Sequence, residues 1–536
     1  MNHDTSQHDR NSLYKAVTND PTDLDARKVY ADFLTEQQDP RGEFILHQFA
    51  MEESPQWSKT FLTSKIESER LLNEHREEWE VDWINALIEH APKPKQRLVP
   101  NFVSNLTEEQ PYAADVTWNY RCGFIDKLRV GETTSPRCIA QLRAFAPIRA
   151  LEIDYMMLGD KWRKPDLSHL EDLVHLNLSL YDRYHKAKPK KVFDVFDNLN
   201  AEKLESLKLK FYQGRTEAAK RIAETDFPSM KLLDLGRMDF SGDQLATLAN
   251  SNWFSRLQHL SLVGNRLGKK AVSAIKNSRV DKVIKTLNLK VSSIGDEELL
   301  KLASDGFLQL ERLGIGWWFK TNPGPEGVKA LFNENATPNL RSIDFNSWEM
   351  DNNTLSAFLN SETGTQVSEL AVPDLKDEQA LRFAQTEFDN LESLNLKDSK
   401  LSGQAIEQIL LSPLASNLHT LILTGAKQAA ISRHNIFETP AMDSLLYLDL
   451  SYGAISNRTM KGLTKSSRLS GLLGLNLLGC KLNKKSFAML ARSKLDSLKY
   501  LRLPEIPGGS IGRELKQKFG SLLFSTPQFN QSSEYL

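Results

Sequence analysis

The sequence has few cysteines, no long apolar run and no excess charge of either sign, and each absence excludes a class of protein. Its three cysteines, Cys122, Cys138 and Cys480, are too few and too scattered for a disulfide framework or a zinc cluster. We expect them to be buried thiols in a reducing compartment. No segment approaches the roughly 20 apolar residues of a membrane span. The polar N-terminus, MNHDTSQHDR, lacks the apolar segment of a signal peptide, so we expect a cytoplasmic protein without membrane contact.

The balance of charges and the absence of known motifs argue against several further functions. Lysine and arginine number 68 against 69 acidic residues, a net charge of −1, so the composition gives no general reason to expect a nucleic-acid partner. The phosphate-binding pattern G-x-x-x-x-G-K-[ST], the zinc pattern H-E-x-x-H and the C-x-x-C pair are missing, and the 11 histidines are dispersed without ligand spacing. We therefore expect no cofactor, no metal and no enzymatic activity.

One stretch, residues 257–275 (LQHLSLVGNRLGKKAVSAI), organises the rest of the chain. Leu257, Leu260 and Leu262 form the pattern L-x-x-L-x-L, which predicts a short strand with two leucines inward and alternate residues outward. Asn265 follows at the strand exit, where its amide can satisfy backbone groups, and a helical segment comes next. One such unit cannot bury its own apolar side, so the pattern requires stacked copies.

The copies are present at a steady period. Successive units start 23 to 31 residues apart, and 12 of the 14 intervals fall within the roughly 20 to 29 residues of a leucine-rich repeat. The starting positions are Ile125, Ile148, Leu173, Leu204, Met230, Leu257, Ile284, Leu310, Leu340, Val367, Leu391, Leu418, Leu445, Leu472 and Leu498. Residues 121–504 are therefore predicted to be a leucine-rich-repeat solenoid of about 14–15 repeats.

The spacing also predicts the architecture. Linkers between the strands carry apolar side chains at helical spacing, as in Leu245 with Leu248 and Ile406 with Leu410. Because a helix is wider than a strand, we expect an α/β horseshoe with a parallel sheet on the concave face and helices on the convex face. Residues 505–536 are predicted to form a C-terminal cap and polar tail. Proline-rich residues 91–120 are predicted to be an irregular connection.

Residues 1–90 are predicted to be a small all-α domain, with one or two long charged helices over 56–90. Its segment DPTDLDARKVYADFLTEQQDPRGEFILHQFAMEE resembles the repeat-companion domain of bacterial proteins, whose pattern is close to R-x-x-Y-A-D-W-L-E-E-x-x-D-P-R-G-E-F-I. The matching residues are Arg27, Tyr30, Ala31, Asp32, Leu34, Asp39, Pro40, Arg41, Gly42, Glu43, Phe44 and Ile45, and Phe33 departs from the usual Trp. The resemblance covers about residues 12–155. It implies a bacterial protein with a helical cap ahead of ribonuclease-inhibitor-like leucine-rich repeats, and no defined activity.

The strand residues that point outward are predicted to line the concave face, which suits a protein partner better than a small molecule. Candidate contacts are Lys208, Lys210, Arg312, Asp344, Tyr447, Asp449, Tyr452, Tyr500 and Arg502. The aromatic group Trp317, Trp318, Phe319 and Trp348 has two interpretations. It forms a binding patch, or Trp318 and Trp348 fill the core slot that Asn265 occupies elsewhere.

The resulting functional hypothesis is a non-catalytic scaffold or adaptor that binds an unidentified protein on the concave face, acting as a monomer. One alternative is polyanion or nucleic-acid binding through the basic segment 181–191 with Lys208 and Lys210. Another is an enzyme whose site the sequence does not reveal. Fold alone does not decide among these.

Overall fold

The structure is a computed structural model that describes residues 2–90, 116–130, 139, 141–157, 171–182, 196, 199–211, 215–316, 323–345, 348–425, 436–453 and 455–524. The chain forms two compact bodies. The first comprises Met1–Ser54 and Glu74–Arg266, and the second comprises Pro55–Asn73 and Leu267–Leu536.

Strands and helices alternate through most of the chain after an N-terminal run of helices. The strands are β1 Val116–Arg121, β2 Phe124–Val130, β3 Ala150–Met157, β4 His175–Asp182, β5 Ser206–Phe211, β6 Leu232–Asp234, β7 His259–Ser261, β8 Thr286–Leu289, β9 Arg312–Ile315, β10 Ser342–Asp344, β11 Glu369–Ala371, β12 Ser393–Asn395, β13 Thr420–Ile422, β14 Tyr447–Asp449, β15 Gly474–Asn476, β16 Tyr500–Arg502 and β17 Leu523–Phe524. The helices are α1 Asn2–Asn19, α2 Leu24–Glu36, α3 Pro40–Glu53, α4 Lys59–Trp79, α5 Val81–His90, α6 Arg215–Glu224, α7 Gly242–Ala249, α8 Gly268–Asn277, α9 Asp296–Ala303, α10 Pro325–Leu331, α11 Asn352–Leu359, α12 Asp377–Gln385, α13 Gly403–Leu411, α14 Asn457–Lys465, α15 Lys484–Ala491 and α16 Gly509–Phe519.

In the first body, the N-terminal helices pack against the first strands. Val17 of α1, Tyr30 and Leu34 of α2 and Phe49 of α3 share one apolar cluster with Phe124 of β2. The Tyr30 and Phe124 rings lie with their centroids 5.7 Å apart. This shared cluster joins the N-terminal helices to the first strands. Their role as the cap that a stack of repeats needs at its terminus stays a prediction.

A buried ionic cluster fixes these helices to the strands. Asp126 of β2 accepts two hydrogen bonds from Arg149, each 2.9 Å, and one of 3.2 Å from Arg27 of α2. Arg27 also donates to the carbonyls of Arg121 at 3.0 Å and Pro147 at 3.1 Å. Burial alone would raise the pKa of Asp126, but Arg149 and Arg27 lower it to about 2.

The repeat strands pair in parallel and in register within each body. In the first body the aligned inward leucines are Leu128, Leu151, Leu176, Leu207, Leu233 and Leu260. In the second body the aligned inward residues are Leu287, Leu313, Ile343, Leu370, Leu394, Leu421, Leu448, Leu475 and Leu501. All of these side chains are buried, at most 4% exposed. The predicted fold class is confirmed: an α/β leucine-rich-repeat array preceded by helices.

In the repeat at residues 257–275, the residue at the strand exit has the predicted role. Asn265 accepts a hydrogen bond from the Phe240 N–H at 2.8 Å and donates to the carbonyls of Leu235 and Leu262, both at 2.9 Å. At the equivalent position Cys480 donates its thiol to the Leu450 carbonyl at 3.1 Å. The slot therefore accepts different residues provided that they fill it and satisfy the nearby backbone.

Candidate interaction surface

The outward strand positions form a polar surface that we call the strand face. Several copies carry Asp or Asn at the last outward position, where the side-chain oxygen accepts the backbone N–H two residues on. The acceptors are Asp234 (2.9 Å), Asn288 (3.3 Å), Asn395 (2.9 Å), Asp449 (2.8 Å) and Asn476 (3.0 Å). These residues shape the strand exit, so much of the acidic and amide character of the strand face has a structural purpose.

Opposite charges balance on the strand face of the first body. Glu152 of β3 lies between Lys127 at 2.7 Å and Arg129 at 3.5 Å. Lys208 of β5 pairs with Asp234 of β6 at 3.0 Å. The candidate Lys208 is therefore neutralised by its neighbour, and the surface has no continuous positive patch among these five residues.

Ionic contacts also cross the first strands of the second body. Lys290, just after β8, reaches Asp344 of β10 at 2.6 Å, passing over Gly314 of β9. A Cβ atom at Gly314 would lie 3.3 Å from the Lys290 Cγ, so the glycine leaves room for this crossing. Arg312 pairs with Glu369 of β11 at 3.2 Å. The candidates Arg312 and Asp344 thus belong to local ion pairs.

Residues Pro55–Asn73, which include the first part of α4, lie against the strand face of the second body. At the N-terminal end of this segment, Arg312 donates a hydrogen bond to the Gln56 side chain. Its guanidinium also lies 5.7 Å from the centroid of the Trp57 ring, a cation–π contact worth roughly 0.5–1 kcal/mol when exposed and more when desolvated. Burial lowers the pKa of His419, an effect that Glu392 and the Trp57 backbone oppose.

Further along α4, Ile66 meets the tyrosine region of the strand face. A Cβ atom built on Gly474 of β15 would be 2.6 Å from Cδ2 of Tyr447 and 3.3 Å from Cδ1 of Ile66. The strand must therefore carry glycine at this position for the Tyr447 ring and Ile66 to approach it. Ile66 is 3% exposed. Tyr447 of β14 and Tyr500 of β16 lie on either side of Gly474, with their ring centroids 6.3 Å apart.

Glu67 of α4 forms an ion pair with Lys499, which directly precedes β16. Arg70 also donates to Glu67, at 2.8 Å. Burial alone would raise the pKa of Glu67, but the hydrogen bonds from Lys499 and Arg70 bring it below its usual range. The Glu67 side chain is only 14% exposed, so this pair is less screened by solvent than a surface pair.

The pKa of Glu69, also on α4, shifts in the opposite direction. Burial raises its pKa to about 7, although Lys65 and Arg502 act to lower it. Its Oε1 atom is buried and has no hydrogen-bond partner among the described residues. Burial also raises the pKa of Tyr447, and Asp449, Tyr500 and Glu69 add to that shift. Desolvation of the Glu69 carboxyl group therefore outweighs the two cations and favours its neutral form.

The structure separates the sequence-predicted candidates into groups. Arg312, Tyr447, Tyr500 and Arg502 lie where residues 55–73 cover the strand face. Lys208, Asp344 and Asp449 are in local ion pairs or hydrogen bonds, and Lys210 lies on β5 near Glu152. Tyr452 follows β14 and is 65% exposed.

The structure describes Trp348 but not the other aromatic candidates of this group. Trp348 is 1% exposed and packs edge-on against Phe345, with centroids 5.4 Å apart, so the core interpretation applies to it. Trp317, Trp318 and Phe319 lie outside the described residues, as does the basic segment from residue 183 to 191. Their predicted roles stay predictions.

Sequence reasoning missed the segment 55–73 as part of the surface. The signal was indirect: a charged helix whose buried side chains are Ser64, Ile66, Ser68 and Leu71. Nothing local in the sequence indicates that this helix meets Lys499, 432 residues later.

Groups that often carry chemistry are scarce in the described part of the chain. Burial raises the pKa of Cys122 to about 11 and that of Cys480 to about 12, so both thiols are protonated and unreactive near neutrality. Cys138 lies outside the described residues. Among those residues, no set of three His, Cys, Asp or Glu side chains is placed to hold a metal ion.

One serine motif lies near the C-terminal end of the described residues. Residues 508–512 (GGSIG) match the G-x-S-x-G pattern of nucleophilic serines. Ser510 lies in the first turn of α16 and is exposed. No described histidine hydrogen-bonds its hydroxyl, which is the contact that would activate a serine. Within the described residues the motif coincides with the start of α16.

No helix in the described ranges combines the length and apolar character that a membrane span requires. No family model matches the sequence, and neither does any curated protein. Among solved structures, the chain is similar to an internalin from Listeria monocytogenes, with 16% identity over 74% of this chain and 84% of that chain and a TM-score of 0.24. It is also similar to a structural-genomics protein from Bacteroides fragilis, with 17% identity over 47% of this chain and 66% of that chain and a TM-score of 0.30.

Proposed function

We propose that the chain is a non-catalytic scaffold that binds a protein partner on the strand face of its repeats. The observation that carries this proposal is that the strand face of the second body already holds a polypeptide segment, residues 55–73. It does so with cationic and aromatic side chains, Arg312 over Trp57 and Lys499 on Glu67. Arginine and tyrosine are the residues that most often provide binding energy at protein interfaces.

The proposed contact residues are those that the outward strand positions supply. In the second body they are Arg312, Asp344, Tyr447, Asp449, Tyr500 and Arg502, and in the first body Lys208 and Lys210. Trp317, Trp318 and Phe319 stay in the proposal as candidates from sequence, and Tyr452 as an exposed neighbour. Trp348 would support the face from the core. We also propose that the protein acts as a monomer in the cytoplasm.

Polyanion binding is the weaker alternative. Lys208, Lys127 and Arg129 each lie against a carboxylate, Asp234 or Glu152, at 2.7 to 3.5 Å. A polyanion would have to displace these carboxylates before it gained the cations, and it would meet their repulsion while doing so. An enzymatic role has no specific observation in its favour among the described side chains.

The test is affinity capture with the immobilised full chain from an extract of the source organism, read by quantitative mass spectrometry. Lys210→Glu on strand β5 is compared with Lys220→Glu on helix α6, the same charge reversal ten residues away. A protein retained by wild type and by Lys220→Glu, but reduced at least tenfold by Lys210→Glu or by Asp344→Lys, supports the proposal. Retention that is equal in all variants argues against the strand face, and recovery of nucleic acid alone favours the polyanion alternative.

A further inference from the structure

Positive charge is concentrated in the last repeats of the second body. Residues 451–500 contain ten lysines and arginines and one acidic residue, Asp496, a net charge of +9, whereas the full chain has a net charge of −1. The near-neutral total therefore does not describe this part of the molecule. A local excess of this size is the electrostatic signature of a surface that binds a polyanion.

Most of these cations have no acidic partner. Six of them are exposed, and none of the six forms an ion pair or a side-chain hydrogen bond within the described parts of the chain. The six, which we call the basic surface, are Arg458, Lys461, Lys465, Lys481, Lys484 and Lys485. In the first body, by contrast, Lys208 pairs with Asp234 at 3.0 Å. An anion that approaches the basic surface gains its cations without first displacing a carboxylate.

The fold places these cations on neighbouring helices. Helix α14 carries three of them, spaced three and four residues apart, so they lie on one face of the helix. Helix α15 begins with two more, and Lys481 precedes it by three residues. Ser486 of α15 donates a hydrogen bond to the side chain of Asn457 at the start of α14, at 3.0 Å. Because this bond joins the starts of the two helices, the cations belong to one surface.

An exposed aromatic ring lies at the edge of the basic surface. Tyr452, in the turn between β14 and α14, is 65% exposed and has a left-handed backbone with φ +54°. The equivalent turn residues of the repeats before and after it are glycines, Gly425 (φ +78°) and Gly479 (φ +69°), as this conformation favours. A Cβ atom at Gly479 would lie 2.5 Å from Cδ1 of Tyr452, so the ring lies against the next turn, two residues before Lys481. The backbone therefore does not favour a tyrosine at this position.

We propose that the basic surface, with Tyr452 at its edge, binds single-stranded nucleic acid. This goes beyond the proposed function and does not depend on the strand face. Exposed cations that follow the phosphates, together with an aromatic ring on which a base stacks, are the two elements of single-strand binding. A bilayer surface fits less well, because Tyr452 is the only large apolar side chain exposed among the described residues 451–524, and a membrane-binding helix needs an apolar face.

The test measures binding of the full chain to fluorescein-labelled oligothymidylate and oligouridylate of about 20 nucleotides, by fluorescence anisotropy over a series of salt concentrations. Lys461→Glu combined with Lys465→Glu should weaken binding about tenfold or more. It should also reduce the slope of log affinity against log salt by about 1.4, since each phosphate contact of a single strand contributes about 0.7. The matched control is Lys220→Glu with Lys329→Glu, which makes the same change in net charge on α6 and α10 and should bind like wild type.

Two further variants separate binding from folding. Lys484→Glu with Lys485→Glu places acidic residues in the first turn of α15, where the helix dipole favours negative charge. Its thermal midpoint should equal or exceed that of wild type, while oligonucleotide binding falls about tenfold or more. Tyr452→Gly removes the ring and supplies the residue that the left-handed turn favours. It should fold normally and bind the oligonucleotide about fivefold more weakly.

The inference is overturned if neither lysine pair weakens binding relative to the control. It is also overturned if a duplex of the same length binds as tightly as the single strand and Tyr452→Gly binds like wild type, because recognition is then of charge alone. Phosphatidylserine vesicles or polyglutamate that compete as well as unlabelled oligonucleotide would assign the surface to a membrane or an acidic protein instead. A protein captured through Lys210 or Asp344 leaves the scaffold proposal standing in each case.

Discussion

Replacing Glu69 with glutamine should strengthen the docking of α4 at alkaline pH and remove most of its pH dependence. Burial raises the pKa of Glu69 from its ordinary value of 4.5 to about 7. The docked carboxyl group therefore holds its proton more tightly than the undocked one. Because of this linkage, its favourable contribution is complete below pH 4.5 and is lost as the pH rises to about 7.

The size of the effect follows from the shift. Each pKa unit corresponds to about 1.4 kcal/mol, so the charged carboxylate disfavours docking by on the order of 3 kcal/mol above neutrality. At pH 5.5 the docked group is still largely protonated, and the penalty is about 1 kcal/mol. The difference of roughly 2 kcal/mol between pH 5.5 and pH 8 is about a 30-fold change in the docking equilibrium. The Glu69 side chain keeps some access to solvent, which makes these values upper limits.

Hydrogen exchange of the α4 amides measures this equilibrium directly. Protection factors for residues 59–73, corrected for intrinsic exchange at each pH, should fall by up to 30-fold from pH 5.5 to pH 8 in wild type and by much less in Glu69→Gln. Glu67→Gln is the matched control. The docked Glu67 has a lowered pKa, so its ion pair contributes above pH 4.5, and its loss should reduce protection at both pH values. Equal pH dependence in wild type and Glu69→Gln would refute the reasoning.

Three core substitutions test the packing. Leu260→Asp buries a carboxylate at a position that is 1% exposed and should lower the free energy of unfolding by several kcal/mol. Circular dichroism should show a lower thermal midpoint. An unchanged midpoint would mean that the repeat register is wrong. Asn265→Ala leaves one N–H and two carbonyls without their side-chain partner and should destabilise by about 2–4 kcal/mol in urea denaturation. Asp126→Asn leaves the guanidinium groups of Arg27 and Arg149 buried without a counter-charge, and we expect a loss of about 3–5 kcal/mol in the same assay.

The repeat fold was predictable because its information is local and periodic. Each unit repeats L-x-x-L-x-L, and the register of Leu233 with Leu260, or of Leu421 with Leu448, is the one that the spacing predicts. Asn265 was predictable for the same reason, because an amide at a strand exit has a limited set of backbone partners. The boundaries proposed for the domains, at residues 90, 120 and 504, stay predictions.

The candidate surface was predictable only in part. Alternation along the strands identifies which side chains face outward, and Tyr447, Tyr500 and Arg502 do so. It does not identify what lies against them, because a contact such as Glu67 with Lys499 joins residues 432 positions apart. Trp348 shows a second limit of prediction from sequence. An aromatic residue at a strand exit fits both a surface patch and the core, and only packing against Phe345 decides for the core.

The presence of α4 residues on the strand face changes the meaning of the aromatic and cationic residues found there. Tyrosine and arginine on an open sheet suggest a partner, but the same residues here already have one within the chain. An apolar side chain at residue 69 would avoid this cost, since burying a carboxyl group with one oxygen left without a hydrogen bond opposes docking. Glu69 at this position is therefore hard to explain by stability alone. Its raised pKa makes the docking of this segment more favourable at acidic than at alkaline pH.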